Sequence, residues 1–189
     1  MLKLLPQTLD CTELHWLLLS NPNIWNDIPL RTQDPSSPHY GISDIWVRYA
    51  LDWSVAQVPH TSDWYPIIDH YPLIKTYCFA LQRLMRKRYL GGILITKIPA
   101  GVECRGHIDT GWHAAHYEKY ALQITSAPGQ YFWVESTKLE TQPNQIYTFD
   151  NSKLHGVKNN TDYDRITLIV CMSDFNPISN NEYEEQNEQ

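Results

Sequence analysis

The chain has 189 residues and a formal net charge of −6, with 42% hydrophobic and 19% charged residues. This length and balance are typical of one globular domain with a sizeable core. The negative charge disfavours non-specific nucleic-acid binding, which needs cations that neutralise phosphates, and no apolar run is long enough to cross a bilayer.

Four cysteines, Cys11, Cys78, Cys104 and Cys171, lie far apart in the sequence. Because they lack C-x-x-C spacing, neither a zinc knuckle nor a dithiol redox motif is expected, and buried thiols in a reducing compartment are the simplest interpretation. The N-terminus also lacks the basic region and apolar stretch of a secretory signal. The sequence therefore predicts a cytoplasmic protein without a membrane partner.

The first part of the chain carries helical patterns separated by a long loop. Residues 2–5 suggest an edge strand, and apolar residues at helical spacing predict a helix over residues 11–20. Residues 22–40 contain four prolines with Asp, Ser and Asn between them, which predicts a long loop. We call this segment the proline-rich loop, and ordered loops of such length are often functional.

The strongest helical pattern covers residues 71–88, after a short predicted strand at residues 45–49. Pro72 suits the first turn of this helix, and Gly91-Gly92 is the predicted stop. The intervening residues 53–70 have no clear period and are expected to be irregular.

From Ile93 onward the apolar pattern changes to a period of two, which is typical of strands. The predicted strands cover residues 93–98, 120–125, 131–135, 145–149, 156–158 and 166–172. Helices followed by many short strands predict an α+β fold with helices packed on a β-sandwich or jelly-roll core. We predict one domain over residues 1–175, with the jelly-roll core at about 93–173, and a disordered acidic tail over residues 176–189.

A candidate metal site lies within the strand-rich part. In the H-x-D pair His107-Ile108-Asp109, residues i and i+2 of an extended chain point to the same side and can hold one ion. His155, which begins a later predicted strand, is a candidate third ligand. Two imidazoles and one carboxylate form the facial triad of non-haem Fe(II) oxygenases, so His107, Asp109 and His155 are the predicted metal ligands and catalytic residues.

Arg165 is a candidate for binding a second carboxylate. It begins the apolar strand Arg165-Ile166-Thr167-Leu168, where a buried arginine would require an anionic partner. The distal carboxylate of 2-oxoglutarate suits the planar fork of a guanidinium. The alternatives are that Arg165 pairs with Asp162 or Asp164, and that His155 is an ordinary surface histidine.

Further residues are candidates for contacting substrate. Trp112, His113 and His116 follow the H-x-D pair in a glycine-containing loop and can line the substrate entrance, or can simply pack and face solvent. Arg105 shares the strand face of His107 and is a candidate for a substrate carboxylate, with a solvated arginine as the alternative. Trp133 is expected to lie in the core or in a pocket wall.

Three segments carry a resemblance to a known family. They are His107-Ile108-Asp109, Tyr147–Asn151, and residues 155–170, which read HGVKNNTDYDRITLIV and match the pattern H-x-x-x-N-x-[ST]-x-x-x-R-x-x-L-[IV]. Residues from about 93 to 173 thereby resemble the aspartyl/asparaginyl β-hydroxylase family of Fe(II)/2-oxoglutarate-dependent dioxygenases. Because the chain has the metal carboxylate, the resemblance is nearer to bacterial small members such as proline cis-hydroxylases.

The resemblance implies a double-stranded β-helix, which is a cupin-like jelly roll, with Fe(II) held by His107, Asp109 and His155. It implies that Arg165 binds 2-oxoglutarate, with O2 as the other co-substrate. The family often carries an R-x-H pair on the next strand, where this chain has Lys119-Tyr120-Ala121. Lys119 is therefore a candidate co-substrate ligand that keeps the positive charge but loses the fork.

The expected function is hydroxylation of a C–H bond of an amino acid or peptidyl residue, with release of succinate and CO2. Two alternatives stay open at this point. A metal-dependent cupin-type enzyme that does not use 2-oxoglutarate would bind iron without co-substrate turnover, and a non-catalytic jelly-roll binding module would bind no metal. No motif in residues 22–40 or 53–70 identifies the substrate.

Overall fold

Two antiparallel β-sheets face each other in the computed structural model, which describes residues 1–178. The larger sheet has the strand order β1-β9-β6-β11-β4-β2-β3 and the smaller one β5-β10-β7-β8. The strands are β1 (Leu2–Thr8), β2 (Ser43–Tyr49), β3 (Asp63–Trp64), β4 (Tyr89–Ile98), β5 (Glu103–His107), β6 (Glu118–Thr125), β7 (Gln130–Val134), β8 (Thr137–Leu139), β9 (Gln145–Phe149), β10 (His155–Asn159) and β11 (Arg165–Ser173).

The helices are α1 (Thr12–Ser20), α2 (Ile67–His70), α3 (Pro72–Met85) and α4 (Trp112–His116), with 3₁₀ turns at Pro22–Ile24 and Trp53–Val55. None of the helices in residues 1–178 is both long and apolar enough to cross a membrane. Of the tail predicted to be disordered, residues 179–189 lie outside the described residues.

Helices α1 and α3 pack on the outer face of the larger sheet. The residues of α3 that repeat at helical spacing, Ile74, Cys78 and Leu81, are buried against strand residues such as Ile95 and Leu168. Each fully buried aliphatic side chain contributes about 1.5–3 kcal/mol. The fold prediction, a double-stranded β-helix core with N-terminal helices packed on it, is confirmed. Strands β1 and β2, which precede residue 93, also join the larger sheet.

The end of α3 differs from the prediction. The helix stops at Met85, where Arg86 takes a left-handed conformation with φ 57° and its N–H donates to the carbonyls of Arg83 and Gln82. Gly91 and Gly92 lie inside β4 instead of ending the helix. A Cβ on Gly91 would lie 2.9 Å from the ring of Tyr117, so close packing explains the glycine pair.

The proline-rich loop is held against both sheets. The Arg105 N–H of β5 donates to the Pro38 carbonyl at 2.9 Å, and the Asn26 N–H donates to the Asp44 carbonyl of β2 at 2.7 Å. The Arg105 guanidinium donates to the carbonyl of Pro35 at 2.7 Å and also to that of Ser37. Arg105 therefore fastens the loop, a role that differs from both sequence interpretations.

Candidate active site

The three predicted metal ligands meet at one end of the smaller sheet. His107 is the last residue of β5 and His155 the first residue of β10, and the antiparallel register pairs them directly. Their ring centroids lie 4.4 Å apart. Asp109 follows β5 by two residues and turns back towards both imidazoles.

Each imidazole is oriented by a backbone carbonyl. Nδ1 of His107 lies 2.9 Å from the Arg105 oxygen, and Nδ1 of His155 lies 2.8 Å from the Lys153 oxygen. Because a carbonyl can only accept, Nδ1 of each neutral ring is assigned the proton, which leaves the Nε2 lone pair free. That is the tautomer a metal-binding histidine needs.

The free ligand atoms converge with the Asp109 carboxylate. Nε2 of His107 lies 3.8 Å from Oδ1 of Asp109, and Nε2 of His155 lies 3.4 Å from Oδ2. All three ligand atoms lie within 4.8 Å of one another. Two neutral imidazoles and one carboxylate in this arrangement are a donor set that fits a divalent transition metal.

Two neighbours fix Asp109. Its N–H donates to the carbonyl of Asn151 at 3.0 Å, and the Asn151 amide donates to the Ala114 carbonyl of α4 at 3.1 Å. Lys119 Nζ forms an ion pair with Oδ2 of Asp109. Burial alone would raise the pKa of Asp109, but the neighbouring ammonium of Lys119 lowers it well below its usual range. The carboxyl is therefore ionised at neutral pH.

A second group of possible ligand atoms shares His107. It contains His39 and Cys104, and the His39 and His107 ring centroids lie 4.6 Å apart. Burial raises the pKa of the Cys104 thiol to about 12, so a metal bound there would have to displace a firmly held proton, whereas the His107–Asp109–His155 group has no such proton to lose. The His107–Asp109–His155 group is therefore the better metal site.

Arg165 is buried on the inner face of β11, with 1% of its surface exposed. Its guanidinium donates to the hydroxyls of Thr167 at 2.7 Å and Thr141 at 3.3 Å, while its buried Nε has no partner. Within residues 1–178, no carboxylate pairs with Arg165, so neither Asp162 nor Asp164 plays that part. A buried cation without an anion is costly, and this geometry suits an anionic ligand.

A cleft opens beside the three predicted ligands. Its lining includes Arg31, Trp46, Tyr49, Gly92, Asp109, Thr110, His113, Lys119, Ile169 and Cys171. His113 thus lines the cleft as predicted, and its Nε2 accepts the Gly92 N–H at 2.8 Å. Trp112 and His116 belong to α4 and stack on each other at 4.9 Å without lining the cleft.

The neutral state of His113 makes the fold sensitive to acid. Burial, then the charge of Lys119, lowers the pKa of His113 from 6.5 to about 3. Between these values the unfolded chain takes up a proton that the folded chain does not, so stability falls as pH drops from 6.5 towards 3.

We expect the His113→Gln variant, which can still accept from Gly92, to lose less unfolding free energy than wild type between pH 7 and pH 5. The difference is on the order of 1 kcal/mol and is measured by urea denaturation with a chelator present. Equal losses in both proteins would assign the acid sensitivity to other groups.

Trp133 covers two glycines that adjoin the predicted histidine ligands. A Cβ on Gly106 or on Gly156 would lie 2.8 Å from the Trp133 ring, and one on Gly156 would also lie 2.8 Å from the Cys104 carbonyl oxygen. The indole therefore packs on the outer face of the smaller sheet, opposite to the side chains of His107 and His155, and not in the core or in a pocket wall, where it was expected. The two glycines let it approach the strands that carry these histidines.

The close contacts around Gly156 predict how a methyl group at this position changes stability and metal binding. Gly156→Ala is expected to lower the free energy of unfolding by about 1–3 kcal/mol and to weaken metal binding, because β10 must shift beside His155. A denaturation midpoint and a metal affinity equal to those of wild type would contradict this packing.

Arg31, Asp44 and Asn151 contribute to the site but were not predicted to do so. Arg31 reaches the cleft from the proline-rich loop and pairs with the buried Asp44 of β2. Only Asn151 carried a signal, since it ends the segment Tyr147–Asn151 that resembles the family. The other two belong to unremarkable sequence, and their pairing depends on how the loop crosses the sheet.

Comparison with known proteins shows the family of the chain. The sequence model described as aspartyl/asparaginyl beta-hydroxylase matches residues 20–174, which is most of the chain. The chain belongs to this family. It is accordingly a hydroxylase of the 2-oxoglutarate-dependent oxygenase class, and Fe(II) and 2-oxoglutarate are the cofactor and co-substrate that membership implies. No significant match was found among curated proteins.

Solved structures share the fold of this hydroxylase at low sequence identity. An oxidoreductase of the 2OG-Fe(II) oxygenase family from Burkholderia pseudomallei has a TM-score of 0.64 at 12% identity, covering 93% of this chain and 86% of its own. A prolyl hydroxylase from Trichoplax adhaerens, in complex with a hypoxia inducible factor peptide fragment, has a TM-score of 0.59 at 11% identity, covering 100% and 87%. A Pseudomonas putida prolyl-4-hydroxylase has a TM-score of 0.51 at 10% identity, covering 93% of each chain.

Proposed function

We propose that this family member uses Fe(II), O2 and 2-oxoglutarate to hydroxylate a C–H bond of an amino acid, free or within a peptide. Succinate and CO2 are the co-products. The observation that carries the proposal is the convergence of two Nε2 atoms and the Asp109 carboxylate within 4.8 Å, beside a lined cleft. The net charge of the chain, −6, disfavours a nucleic-acid substrate.

His107, Asp109 and His155 would hold the iron. Bound iron with 2-oxoglutarate supplies the oxidising power for the reaction, and the protein supplies position and shielding. The carbonyls of Arg105 and Lys153 keep both imidazoles in the ligating tautomer, and Asn151 holds the backbone of Asp109 in place. The chain thus orients the three donor atoms before metal binds.

Arg165 would hold the distal carboxylate of 2-oxoglutarate. Its buried, unpartnered Nε and the lack of a carboxylate partner among residues 1–178 support this role. The cupin-type alternative has no use for such a cation. Lys119, whose ammonium borders the cleft beside Asp109, would add positive charge near the co-substrate. Ala121, at the second position of the family's R-x-H pair, is fully buried and has no polar group to offer the co-substrate.

We further propose a cytoplasmic location. All four cysteines are free and buried, which suits a reducing compartment.

The decisive experiment is anaerobic. Fe(II) and then 2-oxoglutarate are added to the metal-free protein, and the visible metal-to-ligand charge-transfer band of the chelate is recorded. We expect the band with wild type and with the control His116→Ala, and its loss with His155→Ala. Iron binding without any band would exclude the proposal and favour the cupin-type enzyme, whereas no iron binding would favour a binding module.

A further inference from the structure

The proline-rich loop sends one cationic side chain into the cleft. Arg31 lines the cleft together with Asp109 and Lys119, and its side chain is 25% exposed. Backbone hydrogen bonds hold the loop on both sides of Arg31: the Asn26 N–H donates to the Asp44 carbonyl, and the Gly41 N–H donates to the Thr32 carbonyl. The position of the Arg31 side chain in the cleft is therefore fixed by the hydrogen-bonded backbone of the loop.

The guanidinium of Arg31 is fixed along one edge. Its Nε and Nη2 donate to the Asp44 carboxylate at 2.6 and 3.0 Å, and Nη2 also lies 3.3 Å from the Thr96 hydroxyl. The Thr96 hydroxyl in turn donates to Asp44 at 2.8 Å, and the Asp44 side chain is fully buried. This bidentate pair sets the plane of the guanidinium before any ligand arrives.

The remaining nitrogen of Arg31 is unused. Nη1 donates to no atom of residues 1–178, and it is not among their buried atoms that lack a partner. It is therefore a solvent-accessible donor with an orientation set by Asp44. Beside it the cleft wall is aromatic, since Trp46 and Tyr49 line the cleft and the Trp46 ring centroid lies 5.9 Å from the guanidinium carbon.

The co-substrate already has its cations under the proposed function. Arg165 would hold the distal carboxylate, the iron held by His107, Asp109 and His155 would take the other end of the co-substrate, and Lys119 lies beside the predicted ligands. Arg31 is a further oriented cation in the same cleft. A guanidinium donor next to an aromatic wall suits a molecule with a carboxylate and an apolar body.

We propose that Arg31 binds the free α-carboxylate of the substrate, so that the substrate is a free amino acid with an apolar side chain. This inference rests on the proposed function. A residue inside a peptide has an amide in place of that carboxylate and would leave Nη1 without an anion. The proline-rich loop is then the segment that selects the substrate.

The test measures succinate formation by the iron-loaded enzyme with each of the twenty free L-amino acids and with the corresponding amides. We expect at least one free apolar amino acid to stimulate succinate formation and its amide to be at least about tenfold less effective. In the double variant Arg31→Gln, Asp44→Asn, which leaves no unpaired buried carboxylate, the apparent KM for that amino acid should rise about 10- to 100-fold. The exposed Arg83→Gln serves as the control and should leave the KM unchanged.

The Fe(II)–2-oxoglutarate charge-transfer band reports separately on the fold and on the proposed function. The double variant should keep this band, and Arg31→Lys, which keeps the charge without the fork, should show an intermediate KM. Equal stimulation by acid and amide, or an unchanged KM in the double variant, would overturn the assignment of Arg31. The assignment would also be overturned if the double variant raised only the KM for 2-oxoglutarate. It would likewise be overturned if the band persisted and none of the twenty amino acids stimulated succinate formation. No band in wild type would defeat the proposed function itself.

Discussion

Replacing Arg165 with methionine is expected to raise the stability of the ligand-free protein and to remove its response to 2-oxoglutarate. Arg165 is almost fully buried, its Nε has no partner, and no carboxylate among residues 1–178 pairs with it. A buried charge without an anion opposes folding, whereas an apolar side chain of similar length does not. The hydroxyls of Thr141 and Thr167 would keep Gln123 Oε1 as an acceptor, at 2.8 and 3.5 Å.

Arg165→Met is expected to stabilise the ligand-free protein and to weaken the binding of 2-oxoglutarate. Without ligand, the free energy of unfolding should rise by at least about 1 kcal/mol, because the uncompensated cation is gone. The melting temperature should then increase by about 2–4 °C for a chain of this size. With iron bound, the apparent KM for 2-oxoglutarate should rise by more than about 30-fold, since the carboxylate loses a buried charged partner.

Thermal unfolding without ligand measures the first effect, and succinate formation by the iron-loaded enzyme measures the KM. Thermal unfolding with added 2-oxoglutarate tests co-substrate binding independently of turnover. In the wild-type protein, 2-oxoglutarate at about 100 times its Kd should add about 2.7 kcal/mol of stability, and the Arg165→Met variant should show almost none of this gain. Arg83→Met on the exposed face of α3 is the matched control. If the variant were stabilised by 2-oxoglutarate as strongly as wild type, Arg165 would have no part in binding the co-substrate.

Replacing Asp109 with alanine is expected to lower both Fe(II) affinity and succinate formation by more than about 100-fold. Loss of a residue that only supports a metal ligand already costs 10- to 100-fold, so loss of a ligand should cost more. Asp109 is the one anion of the proposed donor set, and its removal would also leave the Lys119 ammonium beside the two imidazoles. Repulsion between that ammonium and the metal would add to the loss.

A second variant separates these two causes. Asp109→Ala combined with Lys119→Met removes the repulsion but does not restore the ligand, so most of the loss should remain. Iron affinity is measured anaerobically by titration, with the exposed Asp69→Ala as the control. Recovery of near-wild-type affinity in the double variant would mean that Asp109 acts by neutralising Lys119 and does not bind the metal.

The sequence alone predicted the fold class and named three candidate ligands that the structure brings together. Periods of 3.6 and two residues are local properties, so α1, α3 and most strands of the jelly roll were predicted within a few residues of their ends. The H-x-D pair and the start of the strand at His155 were also recognisable, because the residue types and spacings of candidate metal ligands are local features of the sequence. His155 and Arg165 both lie in residues 155–170, the segment that resembles the family, so they were recognised together.

The tertiary structure alone decided how distant segments complete the cleft. Arg31 and Asp44 pair because the proline-rich loop crosses the end of β2 and is fastened by Arg105, and no period or motif encodes such a crossing. The glycine pair Gly91-Gly92 carried a helix-stop signal, yet it serves close packing inside β4. Contacts between residues far apart in sequence depend on the packing of the whole domain, whereas helices, strands and short motifs depend on neighbouring residues.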